Sequence, residues 1–129
     1  MNNLNLLRRW LPAIVLMIAI FIFSSIPSTD MPHFGLWDFL VKKGGHALGY
    51  GLLALAYRYA LNKSDDRSVQ ACMAAWGLAV LYSMGDEFHQ SFVPGRHPSM
   101  LDVFVDALGA GAALLLVMIH QKKPKNLGG

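Results

Sequence analysis

Four long apolar runs, separated by short polar segments, constrain this chain more than any other feature. The runs cover about residues 10–26, 45–61, 69–90 and 101–119. A helix needs about 20 residues, with a range of about 17–25, to cross the hydrocarbon core of a bilayer. The chain is 54% hydrophobic and 15% charged, whereas soluble domains carry about 25% charged residues. The sequence therefore predicts an all-α, polytopic membrane protein with four transmembrane helices, forming a single domain over residues 1–129.

The first run has a competing interpretation as a signal peptide. Two arginines, Arg8 and Arg9, precede its apolar centre, which is also typical of a signal peptide. No Ala-x-Ala-like cleavage site follows, and three more apolar runs come later, so a membrane span is favoured. Pro12 would then lie in the first helical turn, where its missing N–H does little harm.

The segments between the runs carry the turn-forming residues. Residues 27–43 read as a loop because they include prolines, a glycine and scattered aromatics. A short interfacial helix is expected at 34–41, since Trp37 favours the headgroup level of a bilayer. Residues 62–68 form a polar hairpin. Within the third run, Cys72 is expected to pack as a small hydrophobe.

The basic residues are distributed unevenly between the two ends of the predicted bundle. Four spans place both termini and the hairpin on one side, which carries eight basic residues: Arg8, Arg9, Arg58, Lys63, Arg67, Lys122, Lys123 and Lys125. The other side carries three: Lys42, Lys43 and Arg96. Short cytoplasmic loops are enriched in Lys and Arg, so both termini are predicted to be cytoplasmic. Most of the acids fall on the extracytoplasmic side: Asp30, Asp38, Asp86, Glu87, Asp102 and Asp106.

A polar stretch at 86–96, between the third and fourth runs, is the main candidate for a functional site. Ionisable groups at the edge of a bilayer are costly unless they pair, so a cluster there suggests a function. Asp86 and Glu87 lie at the C-terminal end of a helix, where acids are disfavoured. Lys43 and Arg96 are the nearest basic candidates to compensate them. A purely structural ion-pair network is the alternative.

Polar residues on the second and fourth runs are expected to face this stretch. Lys43, His46 and Tyr50 are spaced i, i+3, i+7 and share one face of the second helix. Asp102 fits a capping box at the start of the fourth helix. Asp106 lies about 6 Å deeper, and the small residues Gly109 and Ala113 extend its face. Small residues allow close helix approach, so Asp106 is predicted to point towards His46 or Glu87.

Converging acids and imidazoles suit general acid–base chemistry or a hard or borderline metal ion. These residue types are compatible with a bound divalent metal ion, although their spacing matches no metal-binding motif. The sequence therefore does not identify a cofactor. The sequence contains no His-Glu-x-x-His, Gly-x-Ser-x-Gly or P-loop pattern. The residues alone leave the reaction class open.

Taken together, these motifs resemble the VanZ-like family of small bacterial membrane proteins over roughly residues 20–115. The residues that carry the resemblance are Ser24-Ser25-x-Pro27, Lys43-x-x-His46-x-x-x-Tyr50, Asp86-Glu87-x-His89-Gln90-x-Phe92-x-Pro94-Gly95-Arg96 and Asp102-x-x-x-Asp106-x-x-Gly109. The chain departs from the family at Ala47, where an aromatic is frequent, and at His97-Pro98. One family member is tied to teicoplanin resistance. The resemblance implies a role in the bacterial cell envelope, near cell-wall precursors, and a location in the cytoplasmic membrane.

The predicted function is to bind, and in one version to modify, a cell-wall precursor or an anionic lipid-linked ligand at a polar pocket on the outer side. A link to glycopeptide resistance is part of this prediction, as is the lipid bilayer as a partner. No nucleic-acid partner is predicted, and the oligomeric state is left open. His46, Glu87 and Asp106 form the acid–base set, with Lys43 and Arg96 as anion contacts. The other ligand-binding candidates are Tyr50, Asp86, His89, Gln90 and Asp102.

Two further functions compete with this prediction. A non-enzymatic structural or interaction protein would use the same residues as a salt-bridged clasp between helices. A small transporter or proton relay would need polar groups across the whole membrane. The inner halves of the spans offer little beyond Gln70, so the transporter ranks last.

Overall fold

Four helices make up the regular structure of the described chain. The computed structural model describes residues 3–25, 36–61, 69–94 and 100–122. In chain order the helices are α1 (Asn3–Ser24), α2 (Leu36–Leu61), α3 (Val69–Gln90) and α4 (Met100–Lys122). The predicted all-α fold is confirmed. α3 coincides with the predicted third run, and α4 is only slightly longer than the fourth.

The first two helices start earlier than their apolar runs. α1 begins at Asn3, so Pro12 lies inside the helix rather than in its first turn. α2 begins at Leu36, so the predicted loop is wrong for residues 36–43, where one helix continues into the next apolar run. An apolar run marks where a helix can enter lipid, and it does not mark where the helix begins. Each glycine in such a helix costs only about 1 kcal/mol, which packing can offset.

α2 is the central helix of the bundle. It packs against each of the other three, whereas α1 and α4 share no contacts within the described ranges. The Arg9 guanidinium near the start of α1 donates a 3.2 Å hydrogen bond to the Tyr59 carbonyl near the end of α2, so these two helices run antiparallel. The ends of α1 and α3 meet, with Ser24 hydrogen-bonded to Asp86. The helices therefore alternate in direction along the chain.

The closest approach between helices is the packing of α2 on α4. A Cβ atom at Gly109 would clash with the backbone of Ala47. A Cβ atom at Gly51 would lie 3.2 Å from the Gly109 carbonyl oxygen and 3.3 Å from the Ala113 Cβ. The predicted close approach at Gly109 and Ala113 is confirmed. It aligns the start of α4 with the first half of α2.

The bundle is apolar outside and small or polar inside. Its buried hydrophobic residues are mostly small, including Ala13, Ala54, Cys72, Ala75, Ala79 and Ala110. Large apolar side chains are exposed on every helix, for example Ile22, Leu48, Leu81 and Leu116. Within the described chain, two helices are long and apolar enough to cross a membrane, Asn3–Ser24 and Met100–His120. Both observations are typical of a membrane protein.

Candidate functional site

Buried polar side chains from all four helices meet at one end of the bundle. We call this set the polar cluster: Ser24 from α1; His46 and Tyr50 from α2; Ser83, Asp86, Glu87 and Gln90 from α3; and Asp106 from α4. All are buried except His46, whose side chain is 16% exposed. Burying a carboxylate is costly unless hydrogen bonds compensate it, so the partners of the acids decide what the cluster can do.

Asp86 accepts hydrogen bonds from three of the four helices on a single oxygen. Its Oδ2 atom accepts from the Ser24 hydroxyl at 2.8 Å, the Tyr50 hydroxyl at 3.4 Å and the Gln90 amide at 3.2 Å. The Gln90 amide also donates to the Ser24 oxygen at 3.3 Å. The Oδ1 atom has no hydrogen-bond partner among the described residues. Asp86 therefore joins α1, α2 and α3 with one oxygen and leaves the other as an open acceptor.

Asp106 lies between a hydroxyl and an imidazole. The Ser83 hydroxyl donates to its Oδ2 atom at 2.7 Å. The His46 Nδ1 atom lies 3.6 Å from its Oδ1 atom, which has no hydrogen-bond partner within the described ranges. The predicted approach of Asp106 to His46 is confirmed. Because Nδ1 faces the carboxylate, the opposite ring nitrogen, Nε2, is turned away from Asp106.

His89 makes a separate contact beside the polar cluster. The Ser25 hydroxyl donates to the Phe21 carbonyl at 2.8 Å, and its oxygen lies 2.9 Å from the His89 Nε2 atom. A hydroxyl has one proton to donate, so His89 is the donor in the second bond. Its ring also stacks on Phe21, with 4.4 Å between ring centroids. His89 thus fastens the end of α1 to α3.

A cleft between α1 and α2 reaches the polar cluster. Its volume is about 300 Å³, and α1 supplies an apolar wall of Leu16, Ala19, Ile20 and Phe23. The α2 side presents Gly45 and Gly49. At its polar end lie Ser24, His46 and Tyr50. His46 therefore borders the cleft with its ring while its Nδ1 atom faces Asp106.

A second groove lies between α3 and α4 and has a different character. Its volume is about 700 Å³, and apart from Trp76 its lining is aliphatic, aromatic or glycine: Met100, Val103, Phe104, Ala107, Leu108, Gly111, Ala112 and Leu115. The Trp76 Nε1–H group already donates to the Ala107 carbonyl at 3.0 Å. This groove offers apolar surface without a chemical group to recognise a ligand.

Comparison with known proteins identifies the family. The profile described as VanZ/LLP1 matches residues 9–121. The chain belongs to the VanZ/LLP1 family. It is also 31% identical over 78 residues to an uncharacterised protein of Schizosaccharomyces pombe, a match that covers 60% of this chain and 47% of that relative. No solved structure matches this chain. The resemblance read from the motifs is therefore confirmed.

The structure brings together most of the VanZ-like motif residues selected from the sequence. Tyr50 and Gln90 bond to Asp86, and His46 contacts Asp106. The stacked rings of His46 and Tyr50, with 6.3 Å between centroids, connect these two groups into one network. The structure says less about the other candidates. Glu87 is buried and Asp102 is half-buried. Arg96 and the side chain of Lys43 lie outside the described residues. The chemical roles of all these residues stay predictions.

Two serines in the network, Ser24 and Ser83, had no predicted role. Ser83 precedes Asp86 by three residues and Gln90 by seven, so it lies on the same face of the helix. That spacing could have identified it. Ser24 was visible only as part of a motif, because nothing in its own sequence neighbourhood points to Asp86.

The described residues give no direct indication of a metal centre. In that part of the chain, no group of three or more His, Cys, Asp and Glu side chains is arranged to hold a metal ion. The divalent metal that the residue types allow stays a prediction.

Proposed function

We propose that this VanZ-like protein is a multi-pass envelope protein that binds the polar head of a lipid-linked ligand, such as a cell-wall precursor, at the polar cluster. All four helices would span the membrane, with both termini in the cytoplasm and the cluster near the outer surface. α2 has 26 residues and α3 has 22. At about 1.5 Å per residue, both are long enough to cross about 30 Å of hydrocarbon.

The outward faces of α2 and α3 support their assignment as spans. Leu48 and Leu52 on α2 and Met73, Leu81 and Met84 on α3 are exposed. The polar-cluster residues of the same helices, such as Tyr50 on α2 and Asp86 on α3, point inward. These residues lower the mean hydropathy of both helices, so composition alone does not mark either helix as a span. Because the residues face inward, each helix would still present an apolar surface to lipid.

The binding proposal rests on two buried carboxylates, and one of them, Asp106, also faces the His46 Nδ1 atom at 3.6 Å. Asp86 Oδ1 and Asp106 Oδ1 are buried and accept no hydrogen bond from the described residues. An unsatisfied buried acceptor costs about 1–3 kcal/mol or more, and a ligand that donates hydrogen bonds would remove this cost. Sugar hydroxyl and amide groups are such donors. The head group of a glycan-bearing lipid therefore fits the cluster better than a bare phosphate does.

Within this proposal, His46 is the group best placed for acid–base chemistry. Asp106 holds the Nδ1 side of the ring, and the ring edges the cleft. A histidine held in this way can move a proton at Nε2. Glu87 would assist, and Lys43 and Arg96 would contact the phosphate that links head and chain.

The test compares two lipids that differ only in the sugar. Protein reconstituted in nanodiscs is titrated with a polyprenyl diphosphate that carries the wall-precursor disaccharide and with the same polyprenyl diphosphate without the sugar. We expect the wild type and the exposed-site control Ser91→Ala to prefer the glycan-bearing lipid. Asp106→Asn should fold but lose this preference, because an amide cannot act as the same double acceptor. Equal affinity of the wild type for both lipids would contradict the proposal.

A structural clasp is the second candidate function, and specific contacts favour it. Ser24–Asp86 and Ser25–His89 both fasten α1 to α3. If holding the helices is the whole function, Asp86→Asn and Asp106→Asn should reduce the amount of folded protein, and the wild type should bind neither lipid.

A further inference from the structure

The cleft between α1 and α2 is lined almost entirely by apolar surface and ends at polar side chains. Its apolar wall runs along α1 from Leu16 to Phe23, and its polar end lies at Ser24 and His46. The Phe23 and His46 rings are 6.3 Å apart, which places the boundary between the two parts. From Leu16 to Ser24 the helix rises about 12 Å, comparable to the hydrocarbon depth of one leaflet, about 15 Å.

We infer that this cleft is the binding site for a single hydrocarbon chain of a membrane lipid whose head group lies at His46. The inference deepens the proposed function, on which the identity of the head group rests. The chain would lie along Leu16, Ala19 and Ile20 and pass over the two glycines of α2.

The glycines of α2 support this inference because they leave space that no helix contact uses. A Cβ atom at Gly45 or Gly49 would meet no atom within 4 Å. By contrast, Gly51 and Gly109 are required by the packing of α2 on α4. A glycine inside a helix costs about 1 kcal/mol relative to alanine. Gly45 and Gly49 bear this cost at the open side of the cleft, next to His46, where they keep the space free.

The size of the cleft selects the occupant. About 300 Å³ is at the lower end of the range for ligand pockets, about 300–1,000 Å³. A helix of another protein, about 10 Å across, would not enter it. Lipid tails are as apolar as the cleft lining, so apolar burial gives little affinity in a bilayer. Close packing of one chain, together with polar contacts of its head, must supply the specificity.

The experiment maps where a lipid chain lies against the protein. The full chain is reconstituted in phosphatidylcholine vesicles that contain a phosphatidylglycerol with a diazirine in one acyl chain, and labelled peptides are identified by mass spectrometry. We expect labelling concentrated on residues 16–23 and 45–50. Gly49→Leu should lose this labelling because its side chain occupies the cleft, while its Cβ atom has nothing within 4 Å.

Matched controls separate filling of the cleft from a general effect of leucine. Gly77→Leu and Gly85→Leu also add a leucine whose Cβ atom has nothing within 4 Å. They lie on α3 and should label like the wild type. Ala19→Leu fills the cleft from the opposite wall and should also lose the labelling. It serves as the test variant if Gly49→Leu folds poorly. Uniform labelling of all lipid-facing peptides, unchanged in Gly49→Leu and Ala19→Leu, would overturn the inference. So would cross-linking between two copies of the chain through the cleft.

The test also distinguishes the chain site from the proposed head site. Labelling of the cleft that responds to Gly49→Leu, in a protein with no preference for the glycan-bearing lipid, would support the chain site and refute the sugar head group. Sugar preference with no localised labelling would overturn the chain site alone.

Discussion

Two clefts in the described part of the bundle differ in size and in the groups at their ends. The groove between α3 and α4 is more than twice as large, about 700 Å³ against about 300 Å³. Its one polar group, the Trp76 N–H, is already bonded to Ala107. The smaller cleft ends at His46, whose Nδ1 atom faces the Asp106 carboxylate at 3.6 Å. In a membrane every outward groove is filled by lipid, so only polar groups at one end of a cleft distinguish a specific ligand from a solvent molecule.

The packing of α2 on α4 connects the two regions, since α2 lines the cleft and α4 lines the groove. The largest expected effect therefore comes from Gly109→Leu, which places a side chain in the backbone of Ala47. A helix backbone cannot move aside as a flexible side chain can. We therefore expect the free energy of unfolding to fall by several kcal/mol and little folded protein to accumulate. Fluorescence-detected size-exclusion chromatography measures it.

Gly77→Leu is the matched control for Gly109→Leu, because a Cβ atom at Gly77 has nothing within 4 Å. It should elute like the wild type. A monodisperse Gly109→Leu protein with wild-type thermal stability would show that the two regions do not depend on this contact.

The next effect tests whether polar bonds hold the cleft end of the bundle. Asp86→Asn weakens an acceptor shared by Ser24, Tyr50 and Gln90. We expect about 1–3 kcal/mol of destabilisation, together with faster proteolysis of α1, because α1 buries only Ala13 and Ser24. Thermal unfolding in detergent and limited proteolysis measure the two effects. Proteolysis of α1 at the wild-type rate would contradict the role of Asp86 in fastening it.

The smallest effect is expected in the groove. Trp76→Phe keeps most of the apolar surface and removes the hydrogen bond to Ala107. We expect about 0.5–1.5 kcal/mol of destabilisation and no change in lipid preference. The titration with the sugar-bearing and sugar-free polyprenyl lipids checks that the lipid preference is unchanged. If Trp76→Phe lost the sugar preference, the groove between α3 and α4 would take part in ligand recognition. That result would contradict its assignment to the polar cluster.

Much of the bundle could be predicted because apolar runs and helical spacing are local properties. The bounds of α3, the Gly109 contact and the direction of Asp106 all followed from the sequence. The start of α2 did not, because hydropathy reports where lipid begins and the helix extends beyond it. Ser24 could not be assigned to Asp86, since that bond joins residues 62 apart in the sequence. The roles of Lys43 and Arg96 stay predictions.

The small-residue interior determines which sequence changes the protein can tolerate. In a soluble domain, truncating a large core side chain is the common route to damage, because it leaves a cavity. Here alanine is the commonest buried residue, with Tyr50, Leu53, Tyr57 and Leu114 as the large exceptions, and many bulky side chains face outward. Truncations should therefore be mild over most of the chain. Enlargements at inward positions such as Ala75, Ala79 and Ala110 should be the harmful class, so a deep mutational scan of this protein should be the inverse of one on a soluble helical bundle.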